Sequence, residues 1–285
     1  MGQLRDRMEE DLRLAGYSPS TIKIYLIYAR RFAKHHMRSP AEMGENEIRE
    51  FLLHMVEERG ISRETYRQVR AALIFLYRIT LRRPMEVEHL PVRRKQHRLP
   101  VVLGGTEVSA LLRSVEGAKY KAILMAIYSA GLRISEACRL RAEDIDSKRM
   151  VIRVRSGKGG RDRYTVLSSR LLVFLRAYWK AHRPESWLFP GRTAAGHASP
   201  NTARKVFQKA LAAAGIKRQV TPHSLRHCFA THLLESGADI AVIQALLGHG
   251  SLRATEIYTH VSTEHIGRVK SPLDILGTPE AARLG

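Results

Sequence analysis

Acidic side chains are scarce in this chain of 285 residues: 27 Asp and Glu stand against 48 Lys and Arg, which gives a formal charge of +21. Such an imbalance predicts a polyanionic partner, most simply DNA or RNA, and the plain alternative is a basic protein with solvated faces. The excess is +7 over residues 1–98 and +14 over residues 99–285, so both parts of the chain are expected to face the polyanion.

Long apolar runs and cysteines are also scarce. No segment approaches the roughly 20 apolar residues of a membrane-spanning helix, and no N-terminal run resembles a signal peptide. We therefore expect no membrane partner and a cytoplasmic, nucleoid-associated protein. The two cysteines, Cys138 and Cys228, lie in no paired metal-ligand spacing, which argues against a disulfide or zinc framework. Cys228 adjoins the HSLRH motif, so its oxidation could disturb that motif.

The first part of the chain has the apolar spacing of helices. Ser18 or Ser20 with Pro19, and Ser62, are helix-start signals, and Gly60 is a helix-end signal. Together these signals predict four amphipathic helices, over about 3–15, 18–36, 45–58 and 62–77. Four helices of this length can bury a small core, so residues 1–84 are expected to form a helical domain.

Prolines and basic residues interrupt this pattern. Pro84, Pro91 and Pro100 favour extended chain, which predicts an interdomain linker over residues 85–100. The basic run Arg93, Arg94 and Lys95 within it is either a set of DNA phosphate contacts or an exposed charged loop.

Residues 101–285 are expected to form a second, mostly helical domain with a small antiparallel β-sheet. MVIRVR and DRYTVL alternate as strands on either side of SGKGGR, which predicts a hairpin with a glycine-rich tip. Helices are expected at about 118–130, 169–182, 201–214, 222–235 and 239–247, with a shorter one around Tyr258. The fold class is therefore mainly α.

Two arginines are candidates for holding a scissile phosphate. Cleaving a DNA phosphodiester without a metal builds charge on the non-bridging oxygens, and guanidinium groups bind such oxygens in a bidentate fork. Arg133 in GLRISE and Arg226 in HSLRH are the candidates. Taken alone, either is equally suited to a structural ion pair.

Two histidines accompany Arg226. Pro222 predicts a helix start, which puts His223, Arg226 and His227 at positions i, i+3 and i+4 on one face. The two histidines could be satisfied polar side chains or zinc ligands, since their spacing permits both. No HExxH element or cysteine pair supports a metal, so none is expected.

The hairpin tip carries Lys158 between two glycines. Such a lysine can protonate a leaving 5′-oxygen as a general acid, or it can be a solvated turn residue. Arg161 and Arg163 next to it could contact backbone phosphates, or be solvated as well.

The last candidates are His249 and Tyr258. Gly248 reads as a helix C-cap, after which His249 could simply lie on the surface, and Tyr258 could be a core aromatic residue. A tyrosine hydroxyl, with a reference pKa of about 10, is a poor nucleophile when free. Beside cationic groups that hold one phosphate, it can attack phosphorus. None of these residues is a specific signal alone. The evidence for a phosphate-cleaving site is the order and spacing of all of them together.

In that order, GLRISE, the lysine hairpin, HSLRH, LGH and a tyrosine nine residues on resemble the tyrosine recombinases, or phage-integrase family. The resemblance covers nearly the whole chain and implies a SAM-like core-binding domain in the first half. It implies that Arg133 and Arg226 clamp the scissile phosphate and that Tyr258 forms a 3′-phosphotyrosyl link. The other implied roles are proton transfer and phosphate binding for His223, general acid for Lys158, a phosphate hydrogen bond for His249 and support of the site for Glu136.

The resemblance also implies how such an enzyme works. No cofactor is expected, neither ATP nor a metal, because the bond energy stays in the protein–DNA ester. The expected partner is double-stranded DNA with specific recombination sites, bound by a homotetramer that exchanges strands through a Holliday junction. When free, the protein is expected to be a monomer or dimer. The tail after His265, containing SPLDILG, could dock on a neighbouring protomer or fray.

The type of recombinase is also suggested. The first helix is expected to begin almost at Met1, which leaves no room for the arm-type DNA-binding domain of lambda-like integrases. The chain therefore looks like the compact Xer-type and transposon-associated recombinases. Around HSLRH and ALLGH the chain is also similar to integron integrases. Those enzymes carry an extra helical insertion in the catalytic domain, for which we expect no room here.

Two other functions compete with site-specific recombination. A type IB topoisomerase-like enzyme would relax supercoils without sequence preference, and the compact helical first half argues against it. A non-catalytic, sequence-specific DNA-binding protein is the other alternative, and the intact set of six candidate catalytic residues argues against it.

Overall fold

The computed structural model describes residues 2–93, 101–155, 162–193, 196–248 and 271–275. The chain divides into two compact units, Met1–Arg98 and Leu99–Gly285. Each unit is described by itself below. Within the described ranges, no helix combines the length and the apolar character that a bilayer span requires.

The first unit is helical. Its four α-helices are α1 (Gly2–Leu14), α2 (Pro19–His36), α3 (Glu45–Glu57) and α4 (Arg63–Phe75). Ser18 and Ser62 begin α2 and α4, and their hydroxyls accept hydrogen bonds from the amides of Thr21 and Thr65 at 3.3 and 3.1 Å. These bonds satisfy amides that the helix itself leaves unpaired. The four predicted helices are therefore present.

The core of this unit is aromatic and aliphatic. Phe32 of α2 packs edge-on against Phe51 of α3, with ring centroids 5.4 Å apart, and against Tyr77 at 6.2 Å. All three side chains are buried. The Tyr77 hydroxyl donates to the carbonyls of Pro40 and Met43, at 3.0 and 3.3 Å, so its burial leaves no unpaired donor.

The end of the fourth helix differs from the prediction. The α-helical pattern was expected to continue to residue 77, but α4 ends at Phe75 and a π-helical turn covers Leu76–Thr80. The Leu81 amide donates to the Leu76 carbonyl at 2.8 Å, which is the wider π spacing. Local apolar periodicity carries no signal for this change of winding.

Residues 85–93, the first part of the expected linker, pack on the helical unit. Val87 and Leu90 are buried in its core. The Tyr66 hydroxyl donates to the Pro91 carbonyl at 2.8 Å, and Arg70 donates to the Leu90 carbonyl at 3.0 Å. The start of this segment differs from the expected extended chain, because Pro84–Val87 form a 3-10 helix. The segment up to residue 93 belongs physically to this unit, because side chains of α4 bind the carbonyls of Leu90 and Pro91.

The second unit is mostly helical around one small sheet. Its helices are α5 (Gly105–Arg113), α6 (Ala118–Ala130), α7 (Ile134–Cys138), α8 (Ser169–His182), α9 (Pro200–Ala213), α10 (Pro222–Glu235), α11 (Ile240–Leu247) and a short α12 (Pro272–Ile275). The predicted hairpin is present as β2 (Val151–Val154) and β3 (Arg163–Val166), paired antiparallel with Ile152 opposite Thr165. A two-residue strand, β1 (Ile145–Asp146), pairs with β2 as a third strand that the sequence did not indicate. The mainly α fold class with a small antiparallel sheet is confirmed.

Helix α6 is the centre of the second unit. Every residue from Ala122 to Ala130 is buried, and the helix packs against α8, α9 and α10. A helix that is apolar all round fits such a central position. Its C-terminal end is held from the sheet, where the buried Thr165 hydroxyl donates to the Ala130 carbonyl at 2.8 Å. This end leads directly into GLRISE.

The segment 271–275 packs on its own unit. Ser271 is buried and donates to the Ser129 carbonyl of α6 at 2.7 Å. Asp274 accepts from the Ser168 hydroxyl at 2.6 Å and from the Arg170 amide at 3.0 Å, at the start of α8. A carboxylate at a helix N-terminus binds unpaired amides and complements the helix dipole. The alternative of a frayed terminus therefore does not hold for residues 271–275.

Candidate active site

GLRISE forms a tight connection between two helices. Gly131 ends α6 in the left-handed conformation with φ of 61°, and Arg133 is the residue that precedes α7. Glu136, three residues later, accepts from the Arg133 amide at 2.8 Å and from Arg133 Nη1 at 2.7 Å. The glutamate therefore caps α7 and orients Arg133 with one carboxylate. The Arg133 side chain remains 26% exposed.

Arg226 connects the ends of two helices. It lies on α10, is 2% exposed, and donates from Nη1 to the Gly131 carbonyl and from Nη2 to the Leu247 carbonyl. The first carbonyl lies at the end of α6, and the second at the end of α11. A buried guanidinium needs such acceptors, because leaving its donors unpaired would be costly. One side chain thus brings GLRISE and the LGH segment together.

The Glu136 carboxylate lies among three arginines. Besides Arg133, it accepts two hydrogen bonds from Arg163, and its Oε2 lies 3.9 Å from Nη1 of Arg226. Burial by itself would raise the pKa of Glu136, but the bonds and charges of Arg163 and Arg133 lower it to about 2. The carboxylate is therefore ionised throughout the physiological range.

Arg163 differs from its prediction. It was expected to contact backbone phosphates or to be solvated, but its side chain is only 11% exposed. Its Nη1 and Nη2 bind Glu136 at 3.0 and 2.7 Å, and its Nε donates to the Leu246 carbonyl at 3.1 Å. The guanidinium therefore holds the end of α11 against α7. We correct its assignment to a positioning residue.

Sequence reasoning missed this role, and the strand pattern gives no signal for it. Arg163 and Thr165 are two residues apart on β3, so the pleat places them on one side of the strand. Thr165 is fully buried. Polar residues at alternate positions of a strand are ordinarily expected on its solvated face, so the burial of both side chains is known only from the structure.

Two glycines permit these close approaches. A Cβ on Gly131 would lie 2.6 Å from the Phe229 ring and 2.9 Å from Leu247 Cδ2, and a Cβ on Gly248 would lie 2.7 Å from Arg163 Cδ. Both glycines also have φ of 61°, a conformation that other residues rarely adopt. The glycines in GLRISE and LGH are thus required by packing as well as by helix termination.

The two histidines of HSLRH lie in the first turns of α10. Their ring centroids are 4.6 Å apart with an edge-on arrangement. His223 is exposed and His227 is half-buried, whereas Arg226 points inward. Burial, then the charge of Arg226, lowers the pKa of His227. The i, i+3, i+4 spacing is present, but the three side chains have very different exposures.

The remaining predicted residues divide into two groups. Arg93 is exposed, and its Nη1 donates to the Ile61 carbonyl at 2.7 Å within the first unit. The others lie outside the described residues: Arg94, Lys95, Lys158, Arg161, His249 and Tyr258.

Both cysteines are buried. Cys228 Sγ accepts a hydrogen bond from the Leu103 amide at 3.2 Å, and burial raises the pKa of its thiol. A buried, protonated thiol reacts slowly, because the thiolate is the nucleophile. The expected sensitivity of the site to oxidation of Cys228 is therefore not favoured by its environment.

The arrangement suits an anion. Three guanidinium groups share one carboxylate, so the cluster of Arg133, Glu136, Arg163 and Arg226 has an excess of positive charge. Exposure falls from Arg133 through Arg163 to Arg226. A phosphate would therefore meet Arg133 first, while the inner two arginines fix the frame behind it.

Comparisons with known proteins show the family of the chain. Residues 102–265 match the phage integrase family, and residues 4–87 match the N-terminal SAM-like domain of phage integrases. Among curated proteins, a Sinorhizobium fredii protein named as an integrase/recombinase, y4qK, is 41% identical over 98% of this chain and 91% of its own length. The tyrosine recombinase XerA of Thermococcus onnurineus is 35% identical and covers 95% of each chain.

Solved structures show the same fold. A crystal structure of XerA recombinase is 28% identical, with a TM-score of 0.50, over 92% of this chain and 94% of that one. A lambda integrase dimer bound to a COC′ core site is 17% identical with a TM-score of 0.72, over 88% of this chain and 95% of that one. Since both the sequence and the two-part fold match, the chain belongs to the phage integrase family and is a tyrosine-type site-specific recombinase, an enzyme that cleaves and rejoins DNA.

Proposed function

We propose that the arginine–glutamate cluster is the scissile-phosphate site and that Tyr258 is the nucleophile. The supporting observation is that Arg226 joins the GLRISE turn to the end of α11, the helix that directly precedes His249. Three of the assigned residues, Arg133, Glu136 and Arg226, already converge there, and the chain reaches Tyr258 ten residues after Gly248.

The proposed reaction conserves bond energy. The Tyr258 oxygen attacks the phosphorus, the bond to the 5′-oxygen breaks, and a 3′-phosphotyrosyl ester forms. The phenolic proton passes to His223 or water, and Lys158 gives a proton to the leaving 5′-oxygen. A 5′-hydroxyl from a partner strand then attacks the ester, which releases the tyrosine and rejoins the DNA.

The arginines serve the transition state in different ways. Arg133 is exposed enough to bind non-bridging oxygens directly as they gain charge. Arg226 is nearly inaccessible in the free protein, with both Nη atoms on carbonyls, and we propose that its remaining N–H groups reach the phosphate only in the DNA complex. Burial first, then Arg133 and Arg163, lowers the pKa of Arg226 to about 10, so it stays charged at neutral pH. His249 would add a hydrogen bond to the phosphate.

We also propose how the protein binds DNA. The substrate is duplex DNA with specific recombination sites, bound in the cytoplasm by a homotetramer that assembles from monomers or dimers. The lambda integrase dimer that shares this fold is bound to a core site, which supports duplex DNA as the partner. Arg93, Arg94, Lys95 and Arg161 are proposed backbone contacts. The proposed division into residues 1–84, 85–100 and 101–285 draws support from the two compact units, with the exception of residues 85–93.

The C-terminal segment has a specific place in this proposal. Residues 271–275 pack on their own unit through Ser271 and Asp274. We propose that this intramolecular position belongs to the free protein, and that the tail is exchanged with a neighbouring protomer when the tetramer forms on DNA.

The decisive experiment compares the protein with a Tyr258→Phe variant on nicked suicide DNA substrates. The wild type should form a covalent adduct resistant to denaturation, while the variant should bind the same DNA without any adduct. Persistent adducts in the variant would contradict the assignment of the nucleophile. Relaxation of plasmids that lack a recombination site would instead support topoisomerase-like activity.

A further inference from the structure

A cluster of histidines lies in the first unit, apart from the proposed phosphate site. His35 and His36 occupy the last turn of α2, and Glu50 lies on the facing α3. One nitrogen or oxygen from each of the three side chains lies within 4.8 Å of the others. Ligands at about 2.1 Å from one metal ion are at most about 4.2 Å apart, so a small rotamer adjustment would complete such a site.

The hydrogen bonds of the cluster favour metal binding. His36 Nε2 lies 3.0 Å from the Glu47 carbonyl, which can only accept, so the His36 ring donates there and keeps its lone pair on Nδ1. Metal-binding histidines usually donate their other N–H to a carbonyl or carboxylate in this way, because it fixes the ring and its tautomer.

A third histidine extends the cluster. The His54 ring lies 4.4 Å from the His35 ring, and His54 Nδ1 lies 3.0 Å from Glu58 Oε2. This bond leaves the His54 lone pair on Nε2, in the same carboxylate–histidine arrangement.

We propose that His35, His36 and Glu50 bind one divalent transition-metal ion of the zinc type, and that His54 supports the His35 ring from outside the ligand set. Imidazole nitrogens with a carboxylate suit Zn²⁺, Co²⁺ or Ni²⁺, whereas Mg²⁺ and Ca²⁺ prefer oxygen ligands throughout. The ion takes no part in DNA cleavage. It links the end of α2 to the middle of α3 and thereby stabilises the helical unit by mass action.

The test uses the full chain without a polyhistidine tag, stripped of metal by a chelator and desalted. Zn²⁺ binding is measured by calorimetry, and Co²⁺ binding by its visible absorption, which reports the coordination geometry. One ion per chain is expected. In Glu50→Gln and His35→Gln the affinity should fall at least tenfold, since the loss of supporting groups alone costs about 10- to 100-fold. At a fixed Zn²⁺ concentration the unfolding midpoint of the wild type should rise more than that of Glu50→Gln.

Two comparison variants locate the ion. His89→Gln alters an exposed histidine of the same unit and should leave the affinity unchanged. His227→Gln removes one histidine of the His223–His227 pair on α10 and should also leave the affinity unchanged. Because Glu50 is exposed, Glu50→Gln is expected to fold, which circular dichroism checks. Absence of binding, equal binding by Glu50→Gln, or loss of binding in His227→Gln would each overturn the proposal.

Discussion

Arg163 binds Glu136 through two parallel hydrogen bonds of 3.0 and 2.7 Å, although 27 positions separate the two residues in the sequence. The same guanidinium donates from Nε to the Leu246 carbonyl at 3.1 Å. The strand β3, the turn before α7 and the end of α11 therefore meet at one side chain. This pairing gives the proposed phosphate site its fixed frame, because Glu136 in turn orients Arg133.

Replacing the carboxylate should lower stability in a pH-dependent way. The pKa of Glu136 is about 2 in the folded protein against an ordinary value of 4.5, so its ionised form stabilises the fold above about pH 4.5. This contribution, of the order of 3 kcal/mol, is lost as the pH falls from 4.5 towards 2. Urea unfolding of Glu136→Gln and wild type at pH 7 and pH 3 should show the difference shrinking at the lower pH. Glu143→Gln, at an exposed glutamate, should differ from wild type by less than about 0.5 kcal/mol. A difference that is independent of pH would contradict the role of the Glu136 charge.

Arg163→Lys should slow cleavage while leaving DNA affinity almost unchanged. Lysine keeps the charge but cannot form the bidentate pair, so the frame around Glu136 loosens. We expect covalent adduct formation about ten times slower, which corresponds to about 1.4 kcal/mol. Arg149→Lys, at an exposed ion pair, serves as the control. If Arg163→Lys instead lowered the slope of log affinity against log salt concentration by about one, Arg163 would contact a DNA phosphate, as predicted from the sequence.

Gly131→Ala should destabilise the protein more than Gly215→Ala. Both glycines have a positive φ, of 61° and 69°, so both variants share the backbone strain. Only at Gly131 would the new methyl group meet the Phe229 ring at 2.6 Å, and overpacking of this kind costs about 1–3 kcal/mol. Thermal unfolding of the two variants measures the difference. Equal losses would show that the ring of Phe229 moves aside at little cost.

Asp274→Ala should weaken the attachment of the C-terminal segment. The carboxylate accepts three hydrogen bonds at the start of α8, from the Ser168 hydroxyl and from the amides of Ser169 and Arg170. Loss of such a cap costs about 1 kcal/mol, and limited proteolysis should then remove the tail faster. Ser199→Ala, at a helix start whose side chain makes no capping bond, should change neither property. An unchanged proteolysis rate in Asp274→Ala would mean that Ser271 and Leu273 alone hold the segment.

The parts that could be predicted from the sequence depend on local physics. The starts of α2 and α4 follow from a serine hydroxyl and an amide three residues later, and both are present at Ser18 and Ser62. The strand alternation that predicts β2 and β3 is equally local. Arg133 and Glu136, three residues apart, could be paired for the same reason.

The rest depends on contacts that no short spacing carries. Ser168 and Asp274 lie 106 residues apart, and Arg226 and Gly131 lie 95 residues apart, yet each pair forms a hydrogen bond. Arg163 was predicted at the surface because a basic residue near a glycine-rich turn is usually solvated. Its burial results from the approach of α7 and α11, which local periodicity cannot foresee.

Arg226 has a final consequence for how this enzyme can change. A guanidinium is rigid and planar, so the separation of its two Nη donors is fixed, and with it the distance between the carbonyls of Gly131 and Leu247. If either of the two segments that follow these carbonyls changed its position alone, a buried hydrogen bond of Arg226 would break. A chimera with another recombinase should therefore exchange the segments after Gly131 and Leu247 together.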